Sequence, residues 1–121
     1  MAQTIQRVLI VDDHATFRAS ARLLLESEGF EVVGEAADGE SAIEQTAALA
    51  PELVLLDVQL PGLNGFEVAS RVTSTDGAPA VILVSSRDGG DFGPMITACG
   101  ARGFVAKAEL SGERLRSLLD A

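Results

Sequence analysis

The sequence contains no tryptophan, no tyrosine and a single cysteine, and these scarcities exclude several kinds of protein. One cysteine, Cys99, cannot form an intramolecular disulfide, which fits a reducing compartment. Because Cys99 lies among small apolar residues, we expect a buried structural thiol and not a reactive one. The sequence also lacks a signal-peptide pattern and any apolar run long enough to cross a bilayer. We therefore predict a cytoplasmic chain that does not bind membranes.

Basic residues are also scarce, because 9 lysines and arginines face 18 acids and leave a formal net charge of −9. Binding to DNA depends largely on basic side chains that neutralise phosphates, and the few present here are scattered. With 5 phenylalanines and no larger aromatic residue, the chain has little surface for stacking on bases. We therefore expect no direct binding of nucleic acid.

What the sequence does contain is a regular alternation of strand and helix patterns. Its 121 residues and 47% hydrophobic content suit one folded domain with a sizeable core. Continuous branched-aliphatic runs predict strands that are buried on both faces of a parallel sheet. The predicted strands are 7–12, 30–36, 52–57, 79–86 and 101–107. This alternation favours an α/β, flavodoxin-like (βα)5 fold, a doubly wound parallel sheet with strand order 2-1-3-4-5.

Helix patterns separate the predicted strands, and turn-forming residues mark the helix ends. Gly29 stops the first helix, the second covers 39–50, and the last starts at Ser111. The segment before the fourth helix is crowded with glycine. There we predict a loose loop over 88–94 and a short helix from about Pro94, since proline is tolerated in a first helical turn.

Polar residues lie at the ends of four predicted strands. They are Asp12 and Asp13 after the first, Asp57 on the third, Ser85 on the fourth and Lys107 on the fifth. Each has an ordinary alternative: the acids could cap helices, the serine could belong to a turn, and the lysine could be a solvated surface charge. The carboxyl ends of the strands in a doubly wound sheet meet where ligands bind. Their convergence therefore favours a functional site.

Three carboxylates in one pocket need a compensating cation. Two carboxylates about 4 Å apart repel by about 4 kcal/mol at an effective dielectric of 20, so some pKa values rise or a cation binds. Lys107 supplies one positive charge, and oxygen ligands with a phosphate are the usual surroundings of Mg²⁺. The pocket thus suits a phosphoryl group, with Asp57 as the nucleophile that forms an aspartyl phosphate.

Over essentially its whole length the chain resembles the receiver domain of bacterial two-component response regulators. The segments that carry the likeness are VLIVDDHATFR, VVGEAADGESAIE, PELVLLDVQLPGLNGFEVASRV and ARGFVAK, and they look closest to NarL/FixJ-type receivers. The resemblance implies one receiver domain, 1–121, that either stands alone or is excised from a longer regulator with a helix-turn-helix output domain.

The resemblance also implies roles for individual residues. Asp57 would accept phosphate from a sensor histidine kinase or a phosphotransfer protein. Asp12, Asp13, Asp57 and the backbone carbonyl of Gln59 would bind Mg²⁺. Ser85 would be the switch hydroxyl that moves to the phosphoryl oxygen.

Further implied roles concern the response to phosphorylation. Lys107 would pair with the phosphate, Phe104 would be the switch aromatic that rotates inward, and Gln59 and Arg87 would influence dephosphorylation. The domain would act as a switch in a phosphorelay and not as an enzyme with a separate substrate, although it would catalyse its own phosphotransfer and autodephosphorylation. It would bind a downstream effector or its own output domain. A homodimer through helices one and five, or through the switching surface around helix four, strand five and helix five, is compatible with this.

Three features depart from the family pattern. Ala108 follows Lys107 where many receivers have proline, so the usual cis peptide bond is not expected. Ser86 stands where alanine is common in the family, and its small side chain should still permit access to the phosphorylation site. RDGGDFGPMI replaces the typical entry into helix four, and we predict a mobile or shortened helix there.

Two other functions stay open. A phosphorylation-independent adaptor would keep the fold and bind its partners regardless of modification, as the 88–94 loop and Ala108 suggest. A flavodoxin-like enzyme would need a nucleotide-binding loop, but the turn DDHATF lacks the required glycines. His14, beside the acid pair, could be read as a metal ligand or a base, although a solvated residue at a helix start is the more ordinary interpretation.

Overall fold

Five parallel strands form one sheet in the computed structural model, which describes residues 6–86 and 93–120. The strands are β1 (Arg7–Val11), β2 (Glu31–Ala36), β3 (Leu53–Asp57), β4 (Ala80–Ser85) and β5 (Gly103–Ala106). Their order is β2-β1-β3-β4-β5, and each neighbouring pair is parallel. The predicted fold class and strand order are confirmed.

Five helices connect or follow these strands. They are α1 (Ala15–Ser27), α2 (Gly39–Leu49), α3 (Gly65–Thr73), α4 (Gly93–Ala98) and α5 (Gly112–Leu119). Local side-chain caps explain where three of them begin. Asp38 and Ser111 each accept a hydrogen bond from a backbone N–H in the first turn of α2 and α5. Asn64 and Glu67 form a reciprocal capping box at the start of α3.

Each face of the sheet has its own hydrophobic core. One face packs against α2 and α3, and the opposite face packs against α1 and α5. Every residue of β3 is buried, which explains why its sequence, LVLLD, shows no alternation of polar and apolar residues. Burying one leucine or valine contributes about 1.5–3 kcal/mol. The helices on both faces therefore hold the central strands, and the polar residues at their ends, in fixed positions.

The fifth strand is shorter than predicted. It was expected over 101–107, whereas β5 pairs with β4 only from Gly103 to Ala106. Gly100, with φ +86°, turns the chain before the strand begins. Lys107 opens a 3₁₀ turn, Lys107–Glu109, so the lysine predicted to end the strand lies just beyond it. Smaller differences of one residue at other strand ends are ordinary for helix and strand boundaries.

The region of helix four could be compared with the prediction only in part. The helix α4 has 6 residues and begins at Gly93, one residue before the predicted start, so its shortness agrees with the prediction. Residues 87–92, which include Arg87 and most of the predicted 88–94 loop, lie outside the described residues, and the expected mobility there stays a prediction. After α4, Cys99 is 7% exposed, which confirms the buried thiol.

Two further observations concern the peptide bonds and the helices of the part of the chain that the structure describes. No peptide bond there is cis, and this includes the bond between Lys107 and Ala108. None of the described helices combines the length and the apolar character that spanning a membrane requires.

Candidate functional site

Two carboxylates and one ammonium group meet at the carboxyl edge of the sheet. The Nζ atom of Lys107 lies 2.6 Å from Asp12 Oδ2 and 3.3 Å from Asp57 Oδ2. Asp12 is fully buried, and Asp57 is 3% exposed. In the sheet, β1 lies beside β3, and β4 separates β3 from β5. The carboxyl ends of these parallel strands lie at one edge, which brings the three side chains together. The predicted convergence of these residues is therefore observed.

Asp57 is held by the turn that follows β3. Its Oδ1 accepts a hydrogen bond from the Gln59 N–H at 3.0 Å. The Gly65 N–H donates to the Val58 carbonyl at 2.8 Å, and this bond ties the start of α3 to the end of β3. A Cβ at position 65 would overlap the Asp57 carbonyl oxygen and lie 2.7 Å from Val58 Cα. Glycine at 65 is thus required for the close approach that keeps Asp57 in place.

Asp12 is oriented by the loop that leads into α1. Its Oδ1 accepts a hydrogen bond from the His14 N–H at 2.7 Å, and its carbonyl accepts one from Arg18 at 2.7 Å. Arg18 also pairs with Glu35 on β2 at 3.1 Å. Among the described residues, the partner of the buried Asp12 Oδ2 is the ammonium group of Lys107, at 2.6 Å. A carboxylate oxygen can face a second cation as well, so this ion pair is compatible with a metal ion at the same edge.

The two buried acids have opposite pKa shifts. Burial, assisted by the neighbouring Asp12 charge, raises the pKa of Asp57 to about 6 against the opposing Gln59 N–H and Lys107. For Asp12, burial is outweighed by Lys107 and the His14 N–H, so its pKa lies below the ordinary value. The same two carboxylates outweigh burial at Lys107 and raise the pKa of its ammonium group. At neutral pH the centre therefore holds two carboxylates, and Asp57 is the more basic of the two.

The other predicted site residues occupy the expected elements. Ser85 ends β4 and is 1% exposed, and it pairs in the sheet with Ala106, the residue before Lys107. Phe104 pairs with Leu83 and is a partly buried member of the core on the α2–α3 face. Its proposed inward rotation stays a prediction. Arg87 lies outside the described residues.

Sequence reasoning underestimated His14 and missed Phe17. The His14 side chain is 67% exposed, as a helix-start residue should be, but its Nδ1 lies 3.0 Å from Asp12 Oδ1 and 3.1 Å from Asp13 Oδ1. The half-buried Phe17 ring lies 4.5 Å from Lys107 Nζ, a cation–π distance. The helical spacing of Phe17 signalled an inward face, but it did not identify the lysine as the partner.

A cluster of ligand atoms at this edge could hold a metal ion. One atom each from Asp12, Asp13, His14 and Asp57 can be chosen so that all lie within 4.8 Å of one another. Three of these are carboxylate oxygens, the donors that Mg²⁺ prefers. The N–H of Gln59 faces Asp57, whereas the predicted metal role of the Gln59 carbonyl stays a prediction.

Comparison with known proteins identifies the family. The family described as the response regulator receiver domain matches residues 8–120, which is nearly the whole chain. The chain belongs to this family. It is therefore a receiver domain of two-component signalling. Receiver domains work as phosphorylation-dependent switches and are typically non-enzymatic. Their acidic pocket generally binds Mg²⁺. The predicted family and function class are confirmed.

Individual relatives agree with this assignment. The signal receiver domain of NarL from Mycobacterium tuberculosis is 36% identical, with a TM-score of 0.85 over 98% of this chain and 96% of that one. A CheX–CheY–BeF3–Mg²⁺ complex from Borrelia burgdorferi gives 27% identity and a TM-score of 0.82, over 94% of this chain and 86% of that one. The DNA-binding transcriptional activator EvgA of Escherichia coli is 34% identical over 84% of this chain but only 50% of its own length. The chain thus spans about half the length of the curated relatives that it matches.

Proposed function

We propose that Asp57 is the phosphoacceptor of this receiver domain and that a sensor histidine kinase or a phosphotransfer protein supplies the phosphoryl group. The observation that carries the proposal is the position of this carboxylate, which is buried at the end of β3 with Oδ1 on the Gln59 N–H and Oδ2 facing Lys107. A pKa of about 6 leaves Asp57 ionised at neutral pH and more nucleophilic than an ordinary aspartate.

The transfer requires little else from the protein. An Asp57 oxygen forms a bond to phosphorus while the nitrogen–phosphorus bond of the donor histidine breaks, and the leaving imidazole takes up a proton. Phosphorylation adds about −1.5 to −2 charges to a site that already contains acids. Asp12, Asp13, Asp57 and the Gln59 carbonyl would hold Mg²⁺, which neutralises this charge when bound. The oxygen-rich cluster and the buried Asp12 Oδ2 support this assignment, as does the Mg²⁺ named in the related CheY complex.

The switch would involve the strands β4 and β5. Lys107 already lies beside Asp57 Oδ2, and it would move to a phosphoryl oxygen once one is present. Ser85, buried at the end of β4, would donate its hydroxyl to the same group, and Phe104 would follow it inward. Gln59 and Arg87 would set the rate of dephosphorylation. A coupling free energy of about 1–3 kcal/mol would suffice to change partner affinity usefully.

The downstream partner would be an effector protein or an output domain of the same chain. EvgA, of which this chain matches one half, is named as a DNA-binding transcriptional activator. We propose a similar arrangement, in which residues 1–121 are the receiver of a cytoplasmic regulator and any DNA contact belongs to another domain. A homodimer would form through the switching surface or through α1 and α5.

The test is intact-protein mass spectrometry after incubation with Mg²⁺ and acetyl phosphate. We expect one added phosphoryl group on the wild type and none on Asp57→Asn. Asp76→Asn, which alters an exposed acid in a loop away from the site, is the matched control and should be phosphorylated like the wild type. Equal phosphorylation of the Asp57 variant would refute the assignment. The absence of phosphorylation on folded wild type would favour the phosphorylation-independent adaptor.

A further inference from the structure

One side chain at the metal-binding edge is not explained by Mg²⁺ binding. The His14 ring is 67% exposed, yet its Nδ1 lies 3.0 Å from Asp12 Oδ1 and 3.1 Å from Asp13 Oδ1. An exposed imidazole at a helix start is free to point into solvent. Here it turns the nitrogen nearest the backbone toward two acids that are candidate metal ligands.

The backbone fixes the position from which the ring starts. His14 is the N-cap residue of α1, with extended angles of φ −96° and ψ 110°. Its N–H donates to Asp12 Oδ1 at 2.7 Å, and its carbonyl accepts a hydrogen bond from the Arg18 N–H at 3.1 Å. The ring therefore starts from an anchored Cα, and only its own two torsions decide where Nδ1 lies.

The separations match a shared metal ion. Ligands about 2.1 Å from an octahedral ion lie about 3.0 Å from their neighbours and about 4.2 Å from the opposite ligand. The two Nδ1–oxygen distances are hydrogen-bond distances, and they also equal the spacing of neighbouring ligands. The ligand atoms of the four residues all lie within 4.8 Å of one another, which is close to the span of one coordination shell.

The charge at this edge also calls for a divalent ion. Asp12, Asp13 and Asp57 contribute three negative charges when ionised, and Lys107 contributes one positive charge. Among the described residues that meet here, the formal sum is −2, which one divalent cation would neutralise.

We propose that His14 is a metal ligand of this receiver site and that its imidazole strengthens the binding of transition-metal dications, such as Zn²⁺ or Co²⁺, more than the binding of Mg²⁺. The inference rests on the metal site of the proposed function and concerns only which ion that site takes. Neutral imidazole suits Zn²⁺ and its neighbours in the transition series, whereas carboxylates, carbonyls and water suit Mg²⁺. Removing the imidazole should therefore weaken the binding of these ions more than the binding of Mg²⁺.

The chain is well suited to testing this, because His14 is its only histidine. In untagged protein, any imidazole resonance in the NMR spectrum belongs to His14. We expect stoichiometric Zn²⁺ to shift the His14 ring resonances to a saturable end point and Mg²⁺ to leave them nearly unchanged. Co²⁺ should produce visible absorption bands that a variant without the imidazole shows differently.

The variant His14→Asn places a favoured N-cap residue at this position and removes the ring nitrogen. We expect it to bind Zn²⁺ about tenfold more weakly or worse, and to lose less affinity for Mg²⁺, as calorimetry would show. A Zn²⁺ affinity that is unchanged in the variant, or ring resonances that do not respond to Zn²⁺, would overturn the proposal. Failure of both proteins to bind either ion would instead overturn the metal site itself, and phosphorylation of Asp57 by acetyl phosphate remains a separate readout.

Discussion

Replacing Asp57 by asparagine is expected to stabilise the fold more strongly at high pH than at low pH. Asp57 is 3% exposed, and burial is the main reason that its pKa rises from 3.8 to about 6. The folded chain therefore holds this proton more tightly than the unfolded chain does. Between pH 3.8 and about pH 6, raising the pH therefore lowers the free energy of unfolding. Above about pH 6 this loss of stability is nearly constant.

The magnitude follows from the two pKa values. With 3.8 in the unfolded chain and about 6 in the folded chain, ionisation of Asp57 costs about 1.6 kcal/mol at about pH 5 and about 3 kcal/mol at about pH 7.5. Asparagine is neutral and avoids this cost. The attraction of Lys107 for the ionised carboxylate is already contained in the Asp57 pKa of about 6. Lys107 and Asp12 keep their charges across this range, so they add no further pH dependence. The stability difference should thus move by about 1.4 kcal/mol in favour of the variant.

The assay is urea denaturation of both proteins at about pH 5, 6 and 7.5 with a chelator present, under conditions of equal ionic strength. Asp76→Asn, at an exposed loop position, should show no such trend. Adding Mg²⁺ at about pH 7.5 should stabilise the wild type more than Asp57→Asn, because the ion compensates the buried charge. A difference between wild type and Asp57→Asn that stays constant across this range would refute the reasoning.

Three other predictions address the turn, the lysine and the thiol. Gly65→Ala should lower the free energy of unfolding by about 1–3 kcal/mol, because its Cβ would overlap the Asp57 carbonyl. Gly93→Ala should change it little, because among the described residues a Cβ there would meet no atom within 4 Å apart from its own helix and chain neighbours. Equal effects of the two substitutions in urea denaturation would contradict this. Lys107→Met should destabilise the fold by about 3–5 kcal/mol near neutral pH, because it leaves two buried carboxylates without their cation. It should also move the Asp57 pKa above 6, since Lys107 lowers that pKa in the wild type. An NMR titration of the variant with a midpoint at or below 6 would count against this. Cys99, 7% exposed, should react with a thiol reagent only when the chain unfolds, so rapid labelling of native protein would show the packing to be wrong.

Much of the fold could be predicted because burial leaves a direct mark on the sequence. The strand β3 (Leu53–Asp57) is buried on both faces, so its apolar run has no polar interruption. The alternation of strands and helices then matched the doubly wound pattern, and the sheet has the strand order of that pattern. The shortened β5 was missed, since pairing with β4 alone decides where that edge strand begins and ends.

The location of the site could also be predicted, because parallel strands present their carboxyl ends at one edge. Asp12, Asp57 and Lys107 were expected to converge there, and they do. The type of residue at each strand end, carboxylate or ammonium, is local information. The residue types at the strand ends were therefore enough to suggest phosphoryl chemistry without any distances.

The sequence by itself determined the alternation of strands and helices, the polar residues at the strand ends and the excess of acids. Only the tertiary structure decided which groups touch. Lys107 reaches Asp57 across 50 residues of chain, and the contact of Phe17 with Lys107 depends on how α1 lies against the sheet. The pKa of Asp57 likewise depends on burial and on charges from other strands. Periodicity reports which face of an element is covered, whereas distances and electrostatic energies arise between elements that are remote in sequence, and packing alone brings those together.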